Sequence, residues 1–526
     1  MPVSRIFVEQ LIGLARPLSS GLARAGAPSI GARLLNVLAH RVPERRLKAD
    51  LLVEAAELEL SHGLTPRRLK AAYAAELACA DVLLKEGNKA AATASAAKAL
   101  MLAFHRVPHL DGLTSPLAED PQGFTAALQR SRVMRAMAKP RGRTAPAAPP
   151  PAAPPPAGRP LRLLIVNRAN ANFLPLITDW YERHPDVEVR TLDLAADPDL
   201  APLANGLGRM MARAVGGQAA YGRAVEQALR PHLDWADTVF VDWCSAGAAF
   251  LTLVDPGTTR VVIRLHSFET FSYWPHVMDF SRVDDLVFVG DHVRDLTAAA
   301  VPRLLAEGAP RLSVIHNAMD LSSYRRPKHP EARFTLGLVG IGQVAKDPRW
   351  AVEVLRLLRR HDDRFRLLLV GSGLNSDSSP AVRHYHGRLE QDLAKLEASG
   401  AVRRVGQTDD VPGALEEVGT ILSTSVRESF HCALVEGAAS GAVPVVRDWP
   451  FFADGDHGAR TLFPQEWVVG TPEAAARRIL EVTATEEAWL KAGQAAAEHA
   501  LSAWDWTVVR DDFDRLLLDD HGDGRP

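Results

Sequence analysis

Residues 419–446 read GTILSTSVRESFHCALVEGAASGAVPVV, and the fold prediction starts from the pattern in this segment. A short apolar run ends in small polar residues, a helical pattern begins near His431 and ends at Gly441, and a second apolar run follows. Two apolar strands joined by a helix are typical of a parallel sheet that is covered on both faces. Glu428 lies in the loop that leaves the first strand, and Glu436 lies within the helix.

The same alternation of apolar runs and helical patterns extends from this segment in both directions. One series of apolar runs lies between residues 161 and 317, and a second lies between residues 333 and 447. This pattern predicts an α/β fold with two successive Rossmann-like, doubly wound domains. Because ligands of such sheets bind outside the carboxyl ends of the strands, we expect a substrate in the cleft between the two domains.

The chain before residue 139 shows a different, all-helical pattern. Helices are expected to break at Gly63 and at Gly87-Asn88. The alanine-rich helix pair around this second break resembles a tetratricopeptide unit, and a small helical bundle explains it equally well. We therefore predict five parts: a helical module (1–138), a semi-rigid Pro/Ala-rich linker (139–160), two α/β domains (161–326 and 327–500), and a crossover helix with a tail (501–526).

The bulk composition excludes several classes of protein. The formal net charge of the 526 residues is -2, which does not favour nucleic-acid binding. Three cysteines without metal-ligand spacing predict a reducing, cytoplasmic location and no metal site. No apolar run is long enough to cross a bilayer, and Arg5 and Glu9 interrupt the region where a signal peptide needs its apolar core.

The N-terminal segment carries apolar residues that could form one helix face. We favour the interpretation that this face packs on the protein's own helices over contact with a membrane. The residues concerned are Ile6, Phe7, Leu11, Leu14 and Leu22.

The second domain holds the residues suited to a sugar nucleotide. Gly340 and Gly342 lie in a turn after a predicted strand, Lys346 follows, and Pro348 suits the first position of a helix. A helix N-terminus favours an anion, although a solvated lysine in an ordinary loop would give the same pattern. In the opening segment, the carboxylates can accept hydrogen bonds from hydroxyl groups, and the backbone N–H groups of residues 430–434 can hold a diphosphate.

The pair of glutamates separated by seven residues resembles the E-x7-E region of the family-4 type of retaining glycosyltransferases, "glycosyl transferases group 1". That family has the GT-B architecture, in which the second Rossmann-like domain binds most of the donor. Further segments resemble the family in the expected order: VGIGQVAKD (339–347), VIHNAMDLSSY (314–324), GQTDDVPGAL (406–415) and LSAWDWTVVRDDF (501–513). The resemblance covers about residues 161–518 and leaves out the helical module.

The resemblance implies a retaining transfer of a sugar from a nucleotide-diphosphate sugar, the co-substrate, to a glycan, lipid-linked or small-molecule acceptor. It also implies a role in cell-envelope or exopolysaccharide biosynthesis, without a metal or another cofactor. The implied catalytic residues are His266, Glu428 and Lys346: Glu428 contacts the donor sugar, Lys346 neutralises the diphosphate and His266 lies near the reacting sugar. The implied donor-binding residues are Gly340, Gly342, Lys346, Arg349, Ser425, Glu428, Phe430, His431, Cys432, Ala433, Leu434 and Glu436, with Glu436 on the ribose.

The sequence departs from the family pattern at three places. Ile341 stands where many relatives have arginine, which leaves Arg349 or Arg427 to assist Lys346. His431 stands where relatives have glycine. The first-strand loop lacks the usual Gly-Gly pair, so we predict a polar acceptor site at Asn167, Arg168, Asn170 and Asn172 instead.

Three other functions stay open at this point. The chain could be another GT-B enzyme such as a sugar-nucleotide epimerase, or a catalytically weak binding protein that recruits partners through the helical module. It could also be a repeat scaffold with a purely structural α/β part. We expect the helical module to dock a partner enzyme or the inner face of a membrane. The base, sugar and acceptor are not specified by the sequence.

Overall fold

The computed structural model describes residues 5–144 and 158–518 of the chain. The first of these parts is helical, as predicted, and an N-cap marks the predicted break at residue 88, where the Asn88 side chain accepts the N–H of Ala91 at 3.2 Å. Helices α1 to α9 span Arg5–Arg24, Pro28–Arg41, Arg45–Leu60, Leu69–Lys85, Lys89–Ala103, Arg106–His109, Pro116–Glu119, Pro121–Arg130 and Arg132–Met137. The tetratricopeptide resemblance of α4 and α5 stays a prediction.

The first sheet is parallel throughout, with the strand order β2-β1-β3-β4-β5-β6. Its strands β1 to β6 span Leu161–Asn167, Val187–Asp193, Thr238–Asp242, Arg260–Leu265, Asp285–Phe288 and Arg311–Val314. Helices α10 to α17 accompany it and span Pro175–Glu182, Ala201–Ala204, Leu207–Ala214, Ala219–Trp235, Ala246–Leu251, Ser267–Thr270, Trp274–Val277 and Asp291–Ala300.

The second sheet is also parallel, with the strand order β12-β11-β10-β7-β8-β9. Its strands β7 to β12 span Thr335–Val339, Arg366–Val370, Val402–Gly406, Thr420–Ser423, Val443–Arg447 and Val468–Val469. Helices α18 to α24 span Pro348–Arg359, Pro380–Ala398, Val411–Glu416, Cys432–Ala439, Ala459–Leu462, Pro472–Val482 and Glu486–Trp504. Short 3₁₀ helices lie at 280–282, 302–305, 322–324, 330–334, 344–346 and 465–467.

These two sheets confirm the predicted α/β architecture of two doubly wound, Rossmann-like domains behind a helical module, the GT-B arrangement. In each sheet the strand order reverses beside the first strand of the domain, between β1 and β3 and between β7 and β10. Loops diverge at such a point and leave a crevice at the carboxyl ends of the strands. The fold therefore provides two crevices, one in each domain.

A last helix, α25 (Trp506–Leu517), returns the chain to the first domain. Phe513 is fully buried in the core beneath the first sheet, and Asp514 accepts hydrogen bonds from Trp180 Nε1 at 3.1 Å and from the Tyr181 hydroxyl at 2.9 Å. Arg260 Nη1 donates to the carbonyl of Leu516 at 2.6 Å. The C-terminal segment thus ties the two domains together.

The helical module packs directly against the first domain. Its core is continuous with the apolar side chains beneath the first sheet, and α5, α8 and α9 contact α12, α17 and α16, respectively. After α9, Arg143 pairs with Asp284 at 2.6 Å and donates to the carbonyls of Thr259 and Arg282. The start of the predicted linker is therefore held on the first domain, whereas its Pro/Ala-rich centre, residues 145–157, lies outside the described residues.

The predicted packing of the N-terminal apolar face is wrong for Leu11 and Leu14. These side chains are exposed at 37% and 72%, because α1 turns a different stripe inward, formed by Ile12, Ala15, Ser19 and Ala23. Leu22 is half-buried, and the side chains of Ile6 and Phe7 lie outside the described residues. Among helices in residues 5–144 and 158–518, none is both long and apolar enough to cross a membrane.

Truncating the anchor of the last helix tests this architecture. We expect Phe513→Ala to lower the free energy of unfolding by about 3–5 kcal/mol, because the substitution leaves a cavity in a fully buried core. Chemical denaturation followed by tryptophan fluorescence measures the loss. Val508→Ala on the exposed side of the same helix is the control, with a change within about 0.5 kcal/mol. Equal effects of both substitutions would contradict the packing of α25.

Candidate active site

A cavity of about 460 Å³ lies where the two domains face each other. The first domain contributes side chains that follow β1, β3 and β4, and the second contributes the turn after β7 and the loop after β10. Of the predicted catalytic and donor-binding residues, His266, Gly342, Lys346 and Glu428 line this cavity.

Backbone contacts between two loops position the charged residues of the second domain. The N–H of Val426 donates to the carbonyl of Ala345 at 2.8 Å, and the Thr424 hydroxyl donates to the carbonyl of Lys346. These bonds join the loop after β10 to the turn after β7, the two strands at which the sheet order reverses. Gly340 begins that turn with a φ of 80°, a conformation that favours glycine.

Lys346 and Glu428 form the central ion pair of the cavity. Lys346 Nζ lies 2.7 Å from Glu428 Oε1, and the Ser425 hydroxyl donates to the same oxygen at 2.5 Å. Burial by itself raises the pKa of Glu428, but interactions with His431 and Lys346 and the hydrogen bond from Ser425 outweigh it and lower the pKa to about 2. Glu428 is therefore a carboxylate throughout the physiological range.

His431 occupies a left-handed backbone position immediately before α21. Its φ is 76°, and residues other than glycine adopt this conformation at a cost of about 1–2 kcal/mol. This conformational cost explains why the glycosyltransferase family that the sequence resembles has glycine at this position. The imidazole is buried, its Nε2 lies 3.4 Å from Glu428 Oε1, and within the described part of the chain neither ring nitrogen has a hydrogen-bond partner. Burial lowers the pKa of His431 to about 4.

The N-terminus of α21 lies beside this ion pair. The N–H groups of Cys432 and Ala433, in its first turn, have no acceptor within the helix, whereas that of Leu434 donates to the carbonyl of His431 at 3.0 Å. Along the same helix, Glu436 hydrogen-bonds with the Tyr324 side chain, and burial raises the pKa of the Glu436 carboxyl. A positive helix end thus lies between two carboxylates.

His266 sits in an aromatic stack at the end of β4. Its ring lies 4.8 Å from the centroid of Phe173 and 4.2 Å from that of Trp243, with near-parallel planes to both. Its Nε2 lies 3.1 Å from Asp242 Oδ1, and Asp242 also accepts Arg264 Nε at 2.8 Å. Burial lowers the pKa of His266, so the ring is neutral at pH 7.

Several predicted residues lie outside the cavity wall. Arg349 pairs with Asp392 at 2.7 Å on the neighbouring helix α19, and Cys432 Sγ accepts from Asn317 at 3.5 Å. Phe430 is fully buried and stacks on His316, and Leu434 is buried as well.

The predicted acceptor residues likewise do not reach the cavity. Asn167 is buried at the end of β1, and Arg168 bonds to Asn205. Asn170 accepts the N–H of Asn172 at 3.1 Å within their own loop. From this loop it is Phe173 that lines the cavity.

Sequence reasoning missed the contacts that cross between the domains. The Ser429 hydroxyl accepts the N–H of Ser267 at 3.0 Å and lies 2.7 Å from its hydroxyl oxygen. His292 Nε2 lies 3.1 Å from the carbonyl of Glu428. It also missed Phe173 and Trp243, whose only sequence signal is that each follows a predicted strand, and Arg106 and Asp111 of the helical module, for which the sequence offers no signal.

Comparison with known protein families gives a match within the second domain. Residues 333–484, which lie in the second domain, match the family model "Glycosyl transferases group 1". No curated protein matches the chain. Within residues 5–144 and 158–518, no cluster of His, Cys, Asp and Glu is arranged to hold a metal ion.

Several solved structures are similar to the chain at low sequence identity. TarM is 14% identical to this chain with a TM-score of 0.44, and the match covers 56% of this chain and 58% of TarM. TarM from S. aureus has also been solved as a mutant. HepE from Anabaena, solved with UDP and glucose, is 14% identical with a TM-score of 0.47, covering 68% of this chain and 98% of its own. Sucrose-phosphate synthase from Thermosynechococcus elongatus gives the same values.

The buried carboxyl of Glu436 predicts a gain in stability on its neutralisation. Because the folded-state pKa lies above the ordinary value of 4.5, ionised Glu436 costs stability at neutral pH, and this cost disappears as the pH falls below 4.5. We expect Glu436→Gln to unfold at a higher temperature than the wild type at pH 7.5, with a difference that shrinks on acidification. Thermal unfolding at a series of pH values measures this difference.

The exposed Glu481→Gln in the same domain is the matched control and should show no such pH-dependent gain. A constant or negative difference for Glu436→Gln between pH 4 and pH 7.5 would contradict the burial of this carboxylate.

Proposed function

We propose that the chain is a retaining glycosyltransferase that moves a sugar from a nucleotide-diphosphate sugar to a hydroxyl of a glycan, lipid-linked or small-molecule acceptor. The observation that carries this proposal is the Lys346–Glu428 pair beside the N-terminus of α21, at the point where the strand order reverses. The match of the second domain to group 1 glycosyltransferases supports it independently. The donor diphosphate would bind at the helix N-terminus, because free N–H groups and a lysine meet there.

The main requirement of the reaction is to stabilise the negative charge on the departing diphosphate. As the bond between the anomeric carbon and the diphosphate oxygen breaks, negative charge builds up on the diphosphate. The first-turn N–H groups of α21 and the nearby Lys346 would stabilise that charge. In this proposal Lys346 moves from Glu428 to the diphosphate, which frees Glu428 to accept hydrogen bonds from sugar hydroxyls, and Glu436 accepts them from the ribose.

Retention of configuration would follow from attack on the face that the leaving group vacates. The acceptor oxygen bonds to the anomeric carbon while its proton passes to the departing phosphate oxygen, so no protein nucleophile is consumed. His266, held by Asp242 between two aromatic rings, would form the neutral wall beside the sugar. The contacts of Ser429 with Ser267 would keep the domains closed and water out.

Exposed apolar side chains of the first two helices support a peripheral location at an anionic membrane surface. Leu14, Leu18 and Ile30 are exposed at 72%, 57% and 60%, and arginines 24, 33 and 41 of the same two helices are also exposed. An apolar face with a basic rim fits the interface of an anionic bilayer. This location would suit a lipid-linked acceptor in envelope or exopolysaccharide assembly on the cytoplasmic side.

A panel of UDP-, GDP- and ADP-sugars tests the proposed function. We expect one donor to raise the unfolding temperature of the wild type and to be transferred or slowly hydrolysed. Glu436→Ala should weaken its binding about tenfold or more, because hydrogen bonds to a charged acceptor are lost. Calorimetric titration measures the binding, and NMR of the product's anomeric proton reports its configuration.

Glu481→Ala, an exposed glutamate of the same domain, is the control and should bind the donor like the wild type. Absence of binding by every donor would overturn the proposal. Binding without turnover would favour the weak binding protein, and conversion of the free sugar nucleotide into an epimer would favour the epimerase.

A further inference from the structure

Arg427 is a buried cation that has no hydrogen-bond or ion-pair partner within residues 5–144 and 158–518. Its exposed fraction is 7%, and its side chain lines the cavity. Its guanidinium makes no hydrogen bond or ion pair with any described residue, and its Nε is among the buried atoms that lack a hydrogen-bond partner. The ring of Phe271 packs against the guanidinium, with its centroid 5.2 Å from Arg427 Cζ. A buried charge without a partner is costly, so such a site is suited to an anion from outside.

The nearby carboxylates are already engaged. Asp111, from the helical module, accepts Arg106 Nε at 2.6 Å and Nη2 at 2.9 Å. Glu428 holds Lys346. The charged residues lining the cavity are thus three cations and two carboxylates, which leaves the charge of Arg427 uncompensated. Burial lowers the pKa of Arg427 to about 10, so it remains a cation at neutral pH.

Arg427 lines the same cavity as Glu428 of the proposed donor site and as Arg106 and Asp111 of the helical module. The groups that interact with it electrostatically include Asp111 and His109 of the module, together with the neighbouring Glu428. Lys346 interacts instead with Glu428, Cys432 and Glu436, along α21. The two cations share Glu428 as a neighbour, but only Arg427 also interacts with residues of the helical module. An anion held jointly by Arg427 and the module would be distinct from the donor diphosphate.

We propose that Arg427, together with Arg106 from the helical module, binds a phosphate group of the acceptor. A guanidinium matches the oxygens of a phosphate in a paired, planar geometry. The helical module would then form part of the acceptor site, because Arg106, Leu110 and Asp111 line the cavity. This inference rests on the proposed function for the word "acceptor", whereas the anion site itself rests on the burial and isolation of Arg427.

Inorganic phosphate, added to the full chain, is the probe for this site. The chain is first saturated with whichever of UDP, GDP and ADP stabilises it, so that the donor site is closed to phosphate. Calorimetric titration with phosphate then follows for the wild type, Arg427→Met, Arg427→Lys, Arg106→Gln and the control Arg404→Gln. Arg404 pairs with Glu390 and Glu397 on the surface, far from the cavity lining.

We expect Arg427→Met to weaken phosphate binding about tenfold or more while nucleotide affinity stays within about twofold of the wild type. Arg427→Lys keeps the charge and should retain part of the binding, which separates loss of charge from misfolding. Arg106→Gln should also weaken binding, since it frees Asp111 to neutralise Arg427. Arg404→Gln should bind phosphate like the wild type.

Two results would overturn the inference. A parallel loss of nucleotide affinity in Arg427→Met and Arg427→Lys would assign Arg427 to the donor diphosphate. Equal phosphate affinity in all five proteins, or none in the wild type, would show that no phosphate site exists at Arg427. If no nucleotide stabilises the chain, the proposed function fails, and the same titration without nucleotide still decides whether Arg427 binds phosphate.

Discussion

The ion pair between Lys346 and Glu428 is the interaction on which the candidate site depends. It joins the turn after β7 to the loop after β10, and the bond from Val426 to Ala345 holds the two backbones in register. Because the strand order reverses between these two strands, their loops diverge and leave a crevice at the carboxyl ends of the strands. His431, Ser425 and the N-terminus of α21 are all arranged around Glu428. Glu428 thus serves as the anionic partner of Lys346, a place that the diphosphate of the proposed donor would take.

The same loop also connects the site to the rest of the molecule. From the first domain, Ser267 and His292 bond to Ser429 and to the carbonyl of Glu428. From the helical module, Asp111 lines the same cavity as Arg427 and interacts with it electrostatically. Residues 427–429 therefore meet all three parts of the chain, and the module belongs to the wall of the cavity rather than to a separate appendage.

Much of the fold could be predicted from local pattern, because apolar runs with flanking turn residues specify buried parallel strands. The run LRLLIVN is the strand Leu161–Asn167, and Gly441 ends the helix that holds Glu436. The strand Val468–Val469 was not predicted, since two residues show no periodicity. For α1, large apolar side chains suggested an inward face, but small residues such as Ala15 and Ser19 give the closer packing.

The candidate site could be predicted only for residues that lie in a recognisable motif directly after a predicted strand. Lys346 and Glu428 line the cavity, because each follows a strand at the same sheet edge. Phe173, Trp243 and Asp111 come from distant segments, and only tertiary packing brings them together. Arg349 instead pairs with Asp392, which lies on another helix. The sequence around Arg349 gives no sign of this partner.

A crystal structure of the chain with a bound nucleotide-diphosphate sugar tests the central claim most directly. The account predicts that Lys346 Nζ leaves Glu428 Oε1 and contacts the diphosphate, while Glu428 accepts hydrogen bonds from the sugar and Glu436 from the ribose. A Lys346–Glu428 pair still at 2.7 Å, with the nucleotide bound elsewhere, would contradict it.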